Sequence, residues 1–506
     1  MGDPIEPPPE RLNFAAHLFA LNAMRGRKIA YQDDARTLTY SELARAARCF
    51  GSALLASGMR PEERIVLVMH DTVDWPIAFL GCLHAGLVPI PANTLLAIEE
   101  LGWIVADSHA RAAIVSPPLK AAFDAALERI GVRIPVITDV AALVERGDAD
   151  AAAADTPADA SAFWLYSSGS TGRCKGTVHT HGNLFVTAST YGRHVLQLSE
   201  EDVTFSAAKL FFAYGLGNSL TFPLSAGATV VLMPERPTPE AVFKRMIERQ
   251  PTVFFGVPTL YAGMLASPAL PAPHAVRLRR CASAGEALPR EIGERFTAHF
   301  GAPILDGIGS TEMLHIFLSN RADDLRYGTS GKAVPGYELK LLNDAGEPVA
   351  DGEIGDLYVK GDSHALFYWC NRAKTRATFL GHWTRTGDKY VRDAEGYWTY
   401  AGRSDDMIKV SGQYVSPFEV ESCLVQHAAV LEAAVVGVPN EDGLLRTKAF
   451  VVLKSSEDAT SDLESELKNH VKSRLAPHKY PRAIEFVTEL PKTPTGKIQR
   501  YRLRER

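Results

Sequence analysis

The sequence predicts an α/β protein in two parts, a large N-terminal domain over 1–404 and a small α+β C-terminal domain over 405–506. Three observations lead there. Apolar runs of strand length alternate with helical stretches as far as about residue 310, the pattern of buried parallel strands. Beyond Arg326 the texture changes to short alternating strands with Asp-Ala-Gly-Glu and Asp-Ala-Glu-Gly turns between them. A polar break, Gly402-Arg-Ser-Asp-Asp406, then precedes a unit with its own strands and helices. At 506 residues the chain is too long for one hydrophobic core.

Taken in order, Thr39-Tyr-Ser-Glu-Leu43 starts a helix, with Ser41 as the expected N-cap. Arg64-Ile-Val-Leu-Val-Met69 reads as a strand, followed by a helix over 74–85 and a short apolar run over 87–90. Ala112-Ala-Ile-Val-Ser116 and Ile134-Pro-Val-Ile137 repeat the theme. The small, polar stretch 146–157 is an exposed connection, and a second α/β stretch runs over 160–310. The N-terminal domain is therefore expected to hold two α/β-layered sheet subdomains. Tyr337-Glu-Leu-Lys-Leu-Leu342, Gly355-Asp-Leu-Tyr-Val359 and Gly396-Tyr-Trp-Thr-Tyr400 add a small antiparallel β-barrel. The C-terminal unit is expected to comprise helices over 417–426 and 462–475 and strands over 432–438 and 449–453.

With 46% apolar and 22% charged residues and a net charge of -5, the chain has the composition of an ordinary soluble protein and no electrostatic case for nucleic acid or anionic membrane. Its six cysteines (Cys49, Cys82, Cys174, Cys281, Cys370, Cys423) are scattered, so neither a disulfide framework nor a zinc site is indicated. The first ten residues are acidic and proline-rich, unlike a secretory signal. The apolar stretch over 77–92 is interrupted by His84, Pro89 and Pro91, short of the roughly 18 residues of a membrane span. A cytoplasmic location is expected, with the protein a monomer or homodimer.

The most informative segment is Tyr166-Ser-Ser-Gly-Ser-Thr-Gly-Arg-Cys-Lys-Gly176. Glycines at 169, 172 and 176 let the backbone approach an anion; Ser167, Ser168, Ser170 and Thr171 add hydroxyls, and Lys175 adds charge. These suit a polyphosphate, yet Gly176 after the lysine breaks the Walker A spacing. Further segments fit one nucleotide site. Ser283-Ala-Gly-Glu-Ala-Leu288 is a small-residue turn open to a flat ring. Asp306-Gly-Ile-Gly-Ser-Thr-Glu312 places a hydroxyl, Thr311, and a carboxylate, Glu312, at a strand end, where they can meet phosphate and Mg²⁺. Thr384-Arg-Thr-Gly-Asp388 offers a carboxylate to ribose hydroxyls, Arg403 is a second polar contact, and Pro491-Lys-Thr-Pro-Thr-Gly-Lys-Ile-Gln-Arg500 presents Lys497 on a tight turn. Taken singly, Glu312 reads equally as a helix cap, Asp388 as a turn closer and Lys497 as a surface lysine.

In this order and at these separations the segments resemble the adenylate-forming superfamily of acyl-CoA synthetases, luciferases and peptide-synthetase adenylation domains, from Thr39 to Arg506. The resemblance implies a two-step ligase using ATP, Mg²⁺ and coenzyme A: a carboxylate attacks the α-phosphate, and a thiol then displaces AMP. It makes Lys497, Thr311, Glu312 and His315 catalytic, with Glu312 on the metal. Ser167, Ser168, Gly169, Thr171, Gly172 and Lys175 hold phosphates; Gly285, Glu286, Asp306, Gly307 and Ile308 line the adenine slot; Asp388 and Arg403 bind ribose. Many relatives carry an aromatic residue where Ile308 stands, and proline where Cys174 stands; a more flexible loop, and no new nucleophile, is the expectation at 174. The small C-terminal domain is implied to be mobile, hinged at Asp405, and to present Lys409 and Gly412 to the pantetheine arm. No carrier-protein segment follows Arg506, which points to free coenzyme A.

The segments 208–218, 309–318, 368–374 and 475–481 look closely like those of bacterial benzoate-CoA ligases. Ala213, Tyr214, Gly309, His315 and Ile316, with Lys497, would then surround a small aromatic carboxylic acid, and a flat slot closed by Tyr214 and Ile316 suits a six-membered ring. His315 can donate to the acid's oxygens or simply close the pocket. The implied reaction converts benzoate, ATP and coenzyme A to benzoyl-CoA, AMP and pyrophosphate, the entry step of aromatic acid degradation. The alternatives are a hydroxybenzoate- or aminobenzoate-CoA ligase, or an aryl adenylation enzyme loading a carrier protein. A catalytically silent adenylate-binding protein is a further reading, against which the presence of Lys497, Glu312 and Asp388 argues. His179 and His181 have no third ligand nearby in sequence and read as packing behind the phosphate loop.

Overall fold

The computed structural model describes residues 5–167, 173–410, 413–439, 445–455, 459–476, 479–492 and 498–504, with the side chains of 409, 413 and 414 outside that description. The chain divides into two compact units, 1–339 with 359–385, and 340–358 with 386–506. By contact, the strand pair around Asp388 and Arg403 thus groups with the C-terminal segment.

The first unit is built on layered sheets, as the alternating pattern requires. Arg64–Val68 pairs in parallel with Val88–Pro91 and Ala112–Val115, and the latter with Val136–Ile137, giving a four-stranded sheet. These strands are buried along almost their whole length, so only apolar residues fit. The last strand is shorter than the sequence suggests because Pro135 has no N–H to contribute at its start. A nine-stranded sheet carries the second subdomain, its centre parallel (Val203–Ser206, Val253–Gly256, Arg280–Ser283, Ile304–Gly309) and its edge turned antiparallel by Ile316–Ser319. A third sheet pairs Ser161–Ser167 with Lys175–Thr180, antiparallel, and Phe367–Tyr368 lies against the second strand.

The helix Tyr40–Ala56 begins one residue before Ser41. Thr39 is its N-cap, in a reciprocal capping box with Glu42, while the Ser41 hydroxyl donates to the Gly26 carbonyl at 2.8 Å. Thr39 wins because Glu42 stands three residues after it.

In the second unit, Trp398–Arg403 pairs antiparallel with residues 388–392, in a sheet to which residues 340–342 and 354–358 also belong. The helices Pro417–Val425 and Ser461–Lys472 pack with the strands Val430–Pro439, Leu445–Leu453 and Ala483–Phe486 around a core of Val420, Leu424, Val435, Val451 and Leu467. Among the described residues no helix is long and apolar enough to cross a membrane.

Candidate active site

The first unit gathers most of the sequence-predicted positions around one turn. Strand Ile304–Gly309 leads into residues 310–315, and Ile316–Ser319 returns antiparallel beside it. Leu314 holds the turn in place. Its φ of 64° is left-handed, a conformation costing about 1–2 kcal/mol for a residue with a Cβ. Its side chain is 3% exposed in the main core with Phe163 and Leu216, a burial contributing about 2 kcal/mol in return. Gly309 and Gly307 complete the fit: a Cβ on Gly309 would stand 2.4 Å from the His315 carbonyl oxygen, and one on Gly307 2.7 Å from that of Leu318.

On one side of the turn lies a charged cluster. The Lys175 Nζ is 3.0 Å from Glu312 Oε1 and donates to the Tyr368 hydroxyl at 2.8 Å, while that hydroxyl donates to the same Oε1 at 2.6 Å. The ammonium also stands 3.9 Å from the centre of the Tyr368 ring. Burial pushes the Glu312 carboxyl up, but the Lys175 charge and the Tyr368 hydroxyl outweigh it and hold the carboxyl below its ordinary range. Glu312 is therefore ionised at neutral pH. The two side-chain bonds named here both fall on Oε1.

The backbone beneath this cluster is fixed by a histidine. His179, fully buried and stacked on Phe163 at 5.2 Å, lies with Nε2 2.8 Å from the Thr311 carbonyl and Nδ1 3.1 Å from Asn183 Oδ1; both oxygens only accept, the neutral ring can donate to one of them, and the shorter contact assigns the proton to Nε2. Burial pushes its pKa down to about 4. His181 turns elsewhere, its Nδ1 accepting the Phe14 N–H at 3.2 Å. The two histidines thus serve separate backbone contacts, and no cluster of three or more metal-ligating side chains occurs among the described residues.

On the other side of the turn, His315 is 3% exposed inside an aromatic cage of Phe222, Tyr191 and Tyr214, with ring centroids at 4.5, 5.1 and 5.5 Å. Burial pushes it down to about 3, so the imidazole is neutral across the working pH range. Its Nε2 is directed at the Tyr214 carbonyl at 3.3 Å. Ile316 is buried, and Ala213 and Tyr214 are half-buried.

Asp306 is 4% exposed, and its Oδ2 accepts the Leu288 N–H at 3.4 Å. Burial raises its carboxyl to about 8, the Leu288, Ser283 and Gly307 contacts notwithstanding. Gly285 adopts a φ of 94° on an open face and Glu286 beside it is exposed, whereas Ile308 is half-buried. Cys174 carries a thiol pushed up to about 12, chiefly by burial, and its carbonyl accepts the Trp103 indole N–H at 3.1 Å.

Ser167 closes its strand opposite Lys175. Ser168, Gly169, Thr171, Gly172, Gly412 and Lys497 lie outside the described residues, as does the Lys409 side chain, whose backbone pairs Ile408–Val410 with Gln413–Val415. In the second unit, Asp388 and Arg403 face each other across paired strands, Arg403 Nη1 to Asp388 Oδ1 at 2.8 Å. Gly387, with φ of 78°, leaves room for the guanidinium: a Cβ there would be 2.8 Å from Arg403 Nη2. Asp405 is exposed in the turn between Trp398–Arg403 and Ile408–Val410. Tyr368 and His179 were not singled out as site residues from sequence. Only their place beside the better-marked Lys175 and Glu312 reveals them.

Comparison with known proteins follows this geometry. Residues 19–369 match the AMP-binding enzyme family and residues 419–497 its C-terminal domain. The chain is 55% identical to the benzoate–CoA ligase of Thauera aromatica over 98% of its own length and 96% of that protein. It is similar to the crystal structure of a benzoate CoA ligase from Burkholderia xenovorans LB400, at 60% identity and a TM-score of 0.92, covering 97% of this chain and 100% of that one. It also superposes on an anthranilate CoA ligase in complex with anthranoyl-AMP, at 40% identity and a TM-score of 0.93, with 98% of each chain covered. The chain belongs to the AMP-binding enzyme family.

Proposed function

We infer that this protein is an ATP-dependent benzoate–CoA ligase that joins a small aromatic acid to coenzyme A and releases AMP and pyrophosphate. Full-length similarity to two benzoate–CoA ligases supports the substrate class. The observation that carries the chemistry is that a single turn, 309–316, directs Glu312 to Lys175 and sets His315 in an aromatic cage. A charge-handling site and a small aryl slot are thereby only three residues apart.

In the first step a carboxylate oxygen of the acid attacks the α-phosphorus of ATP, and the bond to pyrophosphate breaks. Lys175 and the hydroxyl-rich loop before it bind the phosphates, and Lys497 neutralises the carboxylate and α-phosphate as they come together. Without nucleotide, Glu312 holds Lys175 in a fixed, shared geometry, so little reordering is needed when phosphate oxygens arrive. An ionised, oxygen-donating Glu312 fits Mg²⁺, a cation held through one or two carboxylates together with phosphates, and the ion when bound would neutralise charge on them. His179 holds the Thr311 carbonyl, so that Thr311 presents its hydroxyl from a fixed backbone. Asp388, kept in place by Arg403, accepts from the ribose hydroxyls.

In the second step the coenzyme A thiol attacks the acyl carbonyl carbon and AMP leaves. Asp405, exposed between two strands, is the hinge about which the C-terminal segment turns so that Lys409 and Gly412, in place of Lys497, face the site. The test is the rate of AMP release with ATP, Mg²⁺ and coenzyme A across benzoate, its fluoro, hydroxy and amino derivatives, cyclohexane carboxylate and octanoate. Preference for benzoate and fluorobenzoates upholds the reading, and preference for octanoate overturns it.

A further inference from the structure

The helix Ile98–Ser108 packs on the core of the four-stranded sheet through Leu101, Ile104 and Val105. Its second half carries two residues that the chemistry above does not use, Trp103 and Asp107. They are four positions apart and therefore share one face. That face meets the three-stranded sheet of Ser161–Ser167, Lys175–Thr180 and Phe367–Tyr368 at the end where Lys175 stands.

The helix holds all three strands at or beside that end. The Tyr166 hydroxyl donates to Asp107 Oδ2 at 2.6 Å. The Trp103 indole N–H donates to the Cys174 carbonyl at 3.1 Å. The Trp369 indole N–H donates to the Asp107 carbonyl at 2.8 Å, and the Trp369 backbone N–H donates to the Gly176 carbonyl at 2.8 Å. Each anchored residue is the chain neighbour of one at the phosphate site: Tyr166 of Ser167, Cys174 of Lys175, and Trp369 of Tyr368. Packing keeps the bonds in register. A Cβ on Gly176 would stand 2.9 Å from Tyr166 Cζ, so only glycine lets that ring lie against the strand that begins at Lys175. Trp369 packs on Trp164 with ring centroids 4.6 Å apart, and the Arg173 guanidinium lies 4.6 Å over the Trp103 ring.

We propose that Trp103 and Asp107 are positioning residues for the triphosphate of ATP, fixing the backbone from which Lys175 and its partner Tyr368 reach the phosphates. The inference rests on the reading that Lys175 binds those phosphates. A lysine ammonium ends a flexible four-carbon stem, so its placement depends on how firmly its own backbone is held. A displacement of about 1 Å at such a group can cost up to about a hundredfold in rate. The role belongs to the first step alone. Attack of the coenzyme A thiol on the acyl carbonyl involves neither the β- nor the γ-phosphate, so it proceeds without this support.

The test compares the full-length enzyme with Trp103→Phe, which keeps an aromatic ring beneath Arg173 and removes the indole N–H. With saturating benzoate and coenzyme A, kcat/KM for ATP is expected to fall by about tenfold, mainly through KM. Conversion of supplied benzoyl-AMP and coenzyme A to the thioester is expected to stay within about twofold of wild type. Asp107→Ala should show the same split, and Asp107→Asn, which keeps an accepting oxygen for Tyr166, should return to within about threefold of wild type. If Trp103→Phe does not fold, Tyr166→Phe, which removes one hydroxyl, must show the split. Equal losses in the two half-reactions, unchanged kinetics for ATP, or Asp107→Asn no better than Asp107→Ala would overturn the positioning role and leave the ligase reading intact. Failure of the wild-type enzyme to thioesterify any acid of the panel above overturns the ligase reading itself.

Discussion

Lys175 and Glu312, separated by 137 positions in sequence, meet at 3.0 Å with the Tyr368 hydroxyl bonded to both. The pair lies largely out of solvent, with side chains 16% and 17% exposed. Removing one partner would therefore leave the other half-desolvated without its counter-charge, a larger penalty than a surface ion pair would incur. The geometry suits a lysine stored beside its counter-charge until phosphate replaces it.

Truncating the cluster should divide binding from chemistry. Tyr368→Phe removes one hydrogen bond on each side and is expected to lower kcat/KM for ATP by about tenfold, whereas Lys175→Ala is expected to lower it by about a hundredfold or more. Steady-state rates with saturating benzoate and varied ATP check both. Equal, small effects would mean the cluster is only structural.

His179 should act through the backbone. His179→Phe keeps the stack on Phe163 and loses the N–H to the Thr311 carbonyl. Its expected effects are a loss of about 1–3 kcal/mol in stability, from a buried carbonyl left without a donor, and a kcat reduced by about tenfold with little change in KM for coenzyme A. Denaturant melts and initial rates measure the two.

Asp306 makes stability depend on pH in an unusual direction. Its folded pKa, about 8, lies above the unfolded value near 3.8, so the folded state binds the extra proton in that window. The stabilisation is complete below about pH 4 and is lost as pH rises towards 8, with a slope of up to about 1.4 kcal/mol per pH unit. Asp306→Asn lacks this contribution, so thermal melts at pH 5 and pH 8 should show the wild type falling relative to the variant. Parallel curves would contradict the assignment.

Cys174 sits immediately before the phosphate-loop lysine, yet its thiol, raised to about 12, stays protonated. Alkylation with iodoacetamide at pH 8 should label the exposed Cys370 well before the half-buried Cys174. Peptide mapping over time reads this order.

Much of the fold was legible because burial on both faces leaves a strand little choice but an apolar run, as in Arg64–Val68 and Ala112–Val115. The helix start at Thr39 was misplaced by two residues because Ser41 offers an equally good hydroxyl, and only the reach of Glu42 back to residue 39 distinguishes them. Within the site, Lys175, Glu312 and His315 were marked by motif. Tyr368 was not, since a tyrosine in an apolar stretch carries no local sign of the partner it will meet far along the chain. His315 was open in sequence either to donate to the acid's oxygens or to close the pocket; the cage formed from residues 191, 214 and 222, which burial makes a setting for a neutral imidazole, could not be read from local sequence.

Lys497→Ala separates the two chemical steps. Formation of the adenylate from benzoate and ATP should fall by about a thousandfold, the scale of removing a charge from the transition state, while coenzyme A still converts supplied benzoyl-AMP to the thioester. Adenylate formation left undiminished by the substitution would place Lys497 outside the first step.

The central claim is tested most directly by the products themselves. The enzyme is incubated with benzoate, ATP, Mg²⁺ and coenzyme A, and benzoyl-CoA, AMP and pyrophosphate are quantified by liquid chromatography and mass spectrometry. The account predicts the three in equal amounts, with benzoyl-AMP and no thioester when coenzyme A is omitted. ADP and phosphate in place of AMP and pyrophosphate, or nucleotide cleavage indifferent to benzoate, would contradict it.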